Sequence, residues 1–214
     1  MKVGIIIPDR NDRPEFLANC LRMIQGQSLT PTEIELVNDP AITNERDITW
    51  RYRIGYDRLR NKGLDVIAFI ENDDWYSSDY LEVMTTEWVK NGKPPIFGTN
   101  YTIYYNIQQK AYCTMYHDTR SSAMSSLIVP NLDIKWCPDH EPYTDMHLWL
   151  NIKGGITFKP EKHICIGVKH GVGKCGGGYH TNKLDRYKDK DFDLKFLSSI
   201  VDPESLSFYK LFQK

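Results

Sequence analysis

Glu71, Asn72, Asp73 and Asp74 follow directly on the apolar run Val66 to Ile70. A run of that kind reads as a buried strand, so three acids are held together where it leaves the core. Like charges packed at a sheet edge repel, and a hard divalent cation with oxygen ligands is the usual compensation. Magnesium or manganese held by one or two carboxylates keeps waters and takes up phosphate oxygens as well. Glu71 and Asp73, with Asp74 beside them, therefore point to a Mn2+ or Mg2+ site and to a phosphorylated partner. The same residues also suit a plain loop into a helix, with Asp73 and Asp74 near its positive end.

The elements that must position these acids are legible upstream. Residues 3–8, VGIIIP, form a continuous apolar run closed by proline, as in a strand covered on both faces. Pro14 and Glu15 suit a helix first turn, Phe16, Leu17, Cys20, Leu21 and Ile24 recur at helical spacing, and Gly26 ends the run. Residues 33–39 alternate as a second strand, 48–63 form a basic amphipathic helix stopping at Gly63, and 65–71 form the third strand. Strand, helix, strand, helix, strand predicts a parallel, doubly wound sheet. Ligands in such sheets sit beyond the carboxyl ends of the strands. The polar groups there are residues 8–12, 38–40 and 71–74, which should share one edge.

Further on, 77–92 reads as a helix capped by Ser77 or Ser78, 95–116 as an aromatic β-hairpin, 125–130 as a strand and 143–154 as a short helix with Asp145 near its start. The tail from Gly167 is glycine-rich, then charged, with a helix near 203–213. The organisation expected is 1–160 as the part that carries the acids and the ligand edge, with 161–214 as a loop and helix extension completing the same domain.

The chain has 214 residues, 41% hydrophobic and 26% charged, enough for a core without staples. No apolar run reaches the ~18 residues of a membrane span, and the N-terminus lacks a cleavage site. Five loosely spaced cysteines favour reduced thiols and a cytoplasmic setting, the host cytoplasm if the protein is viral. Net charge is only −1, but residues 153–190 hold nine Lys/Arg against three Asp/Glu. That segment is either a solvated surface or a site for something anionic. Cys165, His170, Cys175 and His180 fall at intervals of five, and a structural zinc is the less favoured use of them because CxxC pairs are lacking. The glycines around 171–178 miss the spacing of a Walker loop. They fit better as a flexible loop closing over phosphates, with Lys169 or Lys174 reaching them. Tyr101, Tyr104, Tyr105, Tyr112, Tyr116 and Trp136 either line an acceptor groove or simply pack the sheet.

Residues 3–39 resemble the opening of family 2 glycosyltransferases of the GT-A fold. The family's Pro-Thr-Tyr-Asn-Arg stretch falls on Pro8 to Asp12, its Leu-x-x-Cys-Leu core on Leu17 to Leu21, a Gln on Gln27, and the Asp-Asp after strand two on Asn38 and Asp39. IAFIENDDWYSSDYLE is similar to the family's Ile-Ala-Phe-Leu-Asp-x-Asp-Asp stretch, and TDMHLWLNI resembles its later Glu-Asp-x-x-Leu-Trp-Leu motif. Glu71, Asn38, Pro40, Ala41 and Thr144 depart from the pattern.

The resemblance implies a GT-A, Rossmann-like α/β fold. It also implies an inverting, metal-dependent transfer of a sugar from a nucleotide-diphosphate donor, UDP-linked above all, to an acceptor hydroxyl. Glu71, Asp73 and Asp74 would hold the metal, with His170 completing its shell or touching the diphosphate. Pro8, Arg10, Asn11, Asp39, Arg53 and Asn72 would meet the nucleotide, with Arg51 and Arg58 as further candidates. Asp145 would be the base that takes the acceptor's proton; it can equally stabilise its own helix. The acceptor would be a glycan, a lipid-linked or a small molecule. Nucleic acid bound through 153–190 is the alternative, as in phage-type glycosylation of hydroxymethylated bases. A nucleotidyltransferase or a non-catalytic nucleotide-binding module would share the fold.

Overall fold

Every residue of β1 (Val3–Pro8) is buried, so both of its faces need cover. The computed structural model, which describes residues 1–42, 46–122, 125–141, 143–173 and 186–213, supplies that cover on two sides. Val3, Ile5 and Ile7 face one core cluster, shared with α1 (Pro14–Gln25) and α3 (Tyr80–Lys90). Ile6 faces a second cluster, shared with α2 (Ile48–Leu59) and α4 (Thr144–Asn151). β3 (Val66–Phe69) splits the same way: Val66, Ala68 and the following Ile70 point to the first cluster, Ile67 and Phe69 to the second. That is the period-two alternation of a strand whose faces are both apolar. Burial of each such Val or Ile is worth ~1.5–3 kcal/mol. α2 lies close enough to β1 that a Cβ at Gly55 would fall 2.4 Å from Ile6 Cγ2.

β1 pairs in parallel with both β2 (Glu33–Val37) and β3, as the sequence predicts. Beyond β3 the sheet turns mixed. Its order is β2-β1-β3-β8-β5-β9, with β8 (Ser126–Ile128) antiparallel to β3 and to β5 (Ile96–Thr99), and β9 (Ile156–Phe158) parallel to β5. A second sheet has the order β11-β7-β6-β10-β4, built from β4 (Trp75–Tyr76), β6 (Tyr101–Asn106), β7 (Ala111–Tyr116), β10 (Cys165–Lys169) and β11 (Asp189–Lys190).

The expected hairpin over 95–116 is therefore two things. β5 belongs to the first sheet, and only β6 and β7 form the hairpin. Asn100 is the crossing point: its N–H donates to Phe158 O at 3.0 Å and its carbonyl accepts from His117 N at 3.0 Å. The expected glycine-rich tail begins instead with β10, a strand buried along its length that pairs in parallel with β6. α3 starts after Asp79, not after Ser77 or Ser78, because the β4 turn extends to Ser77, whose N–H donates to Ile164 O. α5 (Lys195–Ile200) and α6 (Pro203–Lys210) close the chain, and Asp202 caps α6 by accepting from Ser205 N. No helix among the described residues is long and apolar enough to cross a membrane.

Candidate active site

The outlets of β1, β2 and β3 are tied into one polar edge. Asp9 accepts from Asn72 Nδ2 at 2.7 Å through one oxygen and from Asn11 N at 3.0 Å through the other. Asn11, at φ 59, sends its side-chain amide to Asn38 O at 2.8 Å. Asparagine tolerates that left-handed conformation better than most residues. Pro8, Asn11, Asn38 and Asn72 thus meet as the order of elements predicts.

At the β3 outlet one ligand atom each from Glu71, Asp73 and Asp74 lies within 4.8 Å of the others. Their environments differ. Asp73, 7% exposed, accepts on Oδ2 from Arg13 Nη1 at 2.7 Å and from His170 Nε2 at 3.1 Å. Val172 N–H donates to His170 Nδ1 at 3.2 Å, and Arg13 Nη1 also lies 3.2 Å from His170 Nε2. Burial works against the Asp73 charge, but Arg13, His170 and Lys169 outweigh it and hold the carboxyl well below its usual range. Asp74 is fully buried and accepts from Val168 N at 2.7 Å, while its Oδ2 lacks a hydrogen-bond partner. Burial, with Glu71 and Asp73 adding, pushes Asp74 well up against the opposing pull of Lys169. Glu71 is only partly buried; burial still raises it, Lys169 opposes, and Asp73 and Asp145 add to the rise.

Lys169, at the end of β10, is buried with Nζ 4.0 Å from Asp74 and 5.2 Å above the Tyr104 ring. Burial disfavours its charge, yet Asp74, Glu71 and Asp73 hold it protonated. His170 is fully buried under aromatic rings, 4.2 Å from Phe16 and 6.1 Å from Phe212. Lys169 and His170 therefore face the acids from the second sheet. The carboxylates fit a divalent ion: three oxygen donors converge, and one buried carboxylate oxygen is unpartnered.

The other expected residues are spread around this centre. Asp145 sits in the first turn of α4, paired with Arg120 Nη1 on Oδ2. α4 itself is pinned to α2 through the Thr49 and Thr144 hydroxyls and through Thr49 donating to Glu141 O at 2.9 Å. Asp39 takes Arg58 on both oxygens, at 2.8 and 2.9 Å, and that hydrogen bonding lowers its pKa. Arg10 pairs with Asp47 at 2.7 Å, and Arg53 turns to Asp139 at 3.0 Å. Neither contact places these two arginines at the acid cluster. Arg51, 1% exposed, donates to Val37 O, Asp39 O and Asp47 and so fixes the β2 outlet from below.

Lys174, Cys175 and His180 lie outside the described residues. Cys165 opens β10 and His170 directly follows its last residue, ~16 Å away at strand rise, so those two cannot share a zinc. Within the basic segment Lys169 faces Asp74, Lys162 pairs with Asp79 and Lys190 donates to Tyr187 O. Of the hairpin aromatics, Tyr112 stacks on Phe196 and Tyr105 donates to Asp191, as packing residues do, and Tyr104 borders Lys169.

Two residues escape the sequence patterns as members of the site: Arg13 and Arg120. For Arg13 a signal exists, because a cation at the positive end of a helix is misplaced unless an acid holds it. Arg13 is the N-cap of α1.

No family model matches the chain. A curated relative, "Putative glycosyltransferase EpsH" of Bacillus subtilis (strain 168), is 31% identical over 87 residues, a match covering 32% of this chain and 25% of that protein. The chain thus spans about a quarter of that relative. Among solved structures, S. aureus TarS 1–349 in complex with UDP-GlcNAc superposes with a TM-score of 0.56 at 12% identity, over 84% of this chain and 62% of TarS 1–349. A197 from STIV gives 0.50 at 15% identity, over 74% and 82%. At such identities the likeness to these structures is one of fold. The chain thus shares its fold with TarS and a stretch of its sequence with EpsH.

Proposed function

We propose that the protein transfers a sugar from a nucleotide-diphosphate donor, a UDP-sugar by preference, to an acceptor hydroxyl with inversion at the anomeric carbon. The observation that carries this is the convergence of Glu71, Asp73 and Asp74 at the β3 outlet of a GT-A sheet. EpsH carries a glycosyltransferase name and TarS is seen with UDP-GlcNAc, which supports the class of reaction and of donor. Glu71, Asp73 and Asp74 are the residues that would hold Mn2+ or Mg2+, and that ion would supply positive charge to the departing diphosphate.

The chain's own groups do the rest. Pro8 to Asn11, Asp39 and Asn72 form the edge on which the nucleoside is bound, kept in register by the Asp9, Asn11 and Arg51 contacts. Lys169 keeps the acid cluster from repelling itself apart. Arg120 grips one oxygen of Asp145, which orients the carboxylate; its other oxygen takes the acceptor's proton as the new bond to the sugar forms.

The test is a thermal-shift screen of nucleoside diphosphates with Mn2+. A rise in Tm selective for UDP, absent in Asp73→Asn, is expected. No nucleotide-dependent rise in the unaltered protein would contradict the proposal.

A further inference from the structure

The acid cluster already carries a cation where an ion would act. Arg13 Nη1 sits 2.7 Å from Asp73 Oδ2 and its Nη2 3.2 Å from Asn72 Oδ1. It comes from the start of α1, next to the outlet of β1, and stacks 5.4 Å over Phe16, the ring that also supports His170. Residues 170–173, which follow β10, are folded over it. Gly173, at φ +75, is so close that a Cβ there would meet Arg13 Cδ at 3.3 Å and Nε at 3.4 Å. Arg13 therefore lies between Asp73 and the turn formed by residues 170–173. Two permanent cations, Arg13 and Lys169, stand against three carboxylates. Lys169 is walled in by Tyr104 and β10, whereas Arg13 is reached from the polar edge through its exposed neighbours Asn11 and Asp12.

We infer that Arg13 is a phosphate-binding residue that Asp73 holds until a divalent ion binds the acids. It is exchanged for the divalent ion, so that ion binding at the carboxylates releases the guanidinium to the donor's diphosphate. This rests on the nucleotide-sugar reading above and adds a residue to it. The chemistry favours the exchange because a guanidinium and a divalent ion on one carboxylate repel each other, while a guanidinium on a diphosphate forms paired, charge-assisted hydrogen bonds.

Exchange makes two effects of opposite sign. Without Arg13 the ion meets no competing cation, so Mn2+ alone binds more tightly. The diphosphate loses a ligand, so UDP in the presence of Mn2+ binds more weakly. Isothermal titration of the full chain with MnCl2, and then with UDP at saturating Mn2+, reads both. For Arg13→Gln we expect Mn2+ to bind about tenfold tighter and UDP about tenfold weaker. Arg13→Lys, which keeps the charge but not the paired donors, should leave Mn2+ near the unaltered value and restore UDP only in part.

A purely structural Arg13 would weaken both affinities together, and that result overturns the inference. Equal Mn2+ affinity in the unaltered and Arg13→Gln proteins also overturns it while leaving the metal site intact. If neither protein takes up Mn2+, the exchange and the metal-dependent reading fall together.

Discussion

The two ends of the polar edge use the same residue types to different effect. At the β2 end, Arg58 grips Asp39 with side chains 42% and 33% exposed. At the β3 end, Arg13 grips Asp73 with side chains 16% and 9% exposed. Arg58 takes both oxygens of Asp39 and Arg13 only one of Asp73, but water screens the first pair far more than the second. An exposed pair contributes ~0–1 kcal/mol, whereas breaking a buried one leaves an uncompensated charge at a cost of ~3–5 kcal/mol. The β2 end can therefore yield its arginine to a ligand at little cost to the fold. At the β3 end each buried charge depends on its partner being present or replaced.

The largest effect expected from this contrast is at Arg51, which lies beneath the β2 end but is buried with Asp47. Arg51→Ala should lower unfolding free energy by ~3–5 kcal/mol, measured by urea denaturation, because Asp47 and the Val37 carbonyl lose a buried donor. A loss below about 1 kcal/mol would show that burial does not distinguish the two ends.

Next is Lys169→Met, which removes charge from the β3 end at nearly constant volume. Glu71 and Asp74 are already raised, and without Lys169 they rise further. The folded state then binds more protons than the unfolded one above the ordinary carboxylate range, so stability falls as pH rises. The variant should be destabilised at pH 8 and recover toward the unaltered protein near pH 5; the opposite slope would refute the assignment of Lys169 as their counter-charge. In the unaltered protein the same raised groups must release protons to bind an ion, so Mn2+ uptake should liberate protons and weaken as pH falls. Titration in two buffers of different ionisation enthalpy detects the release. The smallest effect expected is at Arg58→Ala, with stability changed by under ~1 kcal/mol and, if Asp39 meets the nucleoside, a larger proportional change in UDP affinity.

The contrast also shows what the sequence discloses. β1, α1 and β3 are legible because their apolar spacing is local and their burial is two-sided. So is the acid cluster, since Glu71, Asp73 and Asp74 are neighbours in the chain. The hairpin boundary is not: residues 96–106 have the same aromatic and β-branched character on both sides of Asn100, and only the backbone bonds to Phe158 and His117 show where the chain changes sheet. β10 is hidden by Gly167 and by the glycines after it. Partners of the acids are hard to read across such distances: Arg13, 60 residues from Asp73, is hidden, and His170, 97 residues away, is expected there only through the family resemblance. Arg120 pairs with an acid 25 residues on. Local pattern gives the carboxylates, and only tertiary packing gives the cations that set their protonation.

The central claim is that these carboxylates hold a divalent ion beside a diphosphate. Anomalous diffraction at the manganese edge, from crystals of the protein grown with Mn2+ and UDP, tests it most directly. One strong peak is expected within coordination distance of Asp73 and Glu71, with the UDP phosphates on its other side. Nucleotide bound at the edge with no manganese peak among the three acids would contradict it.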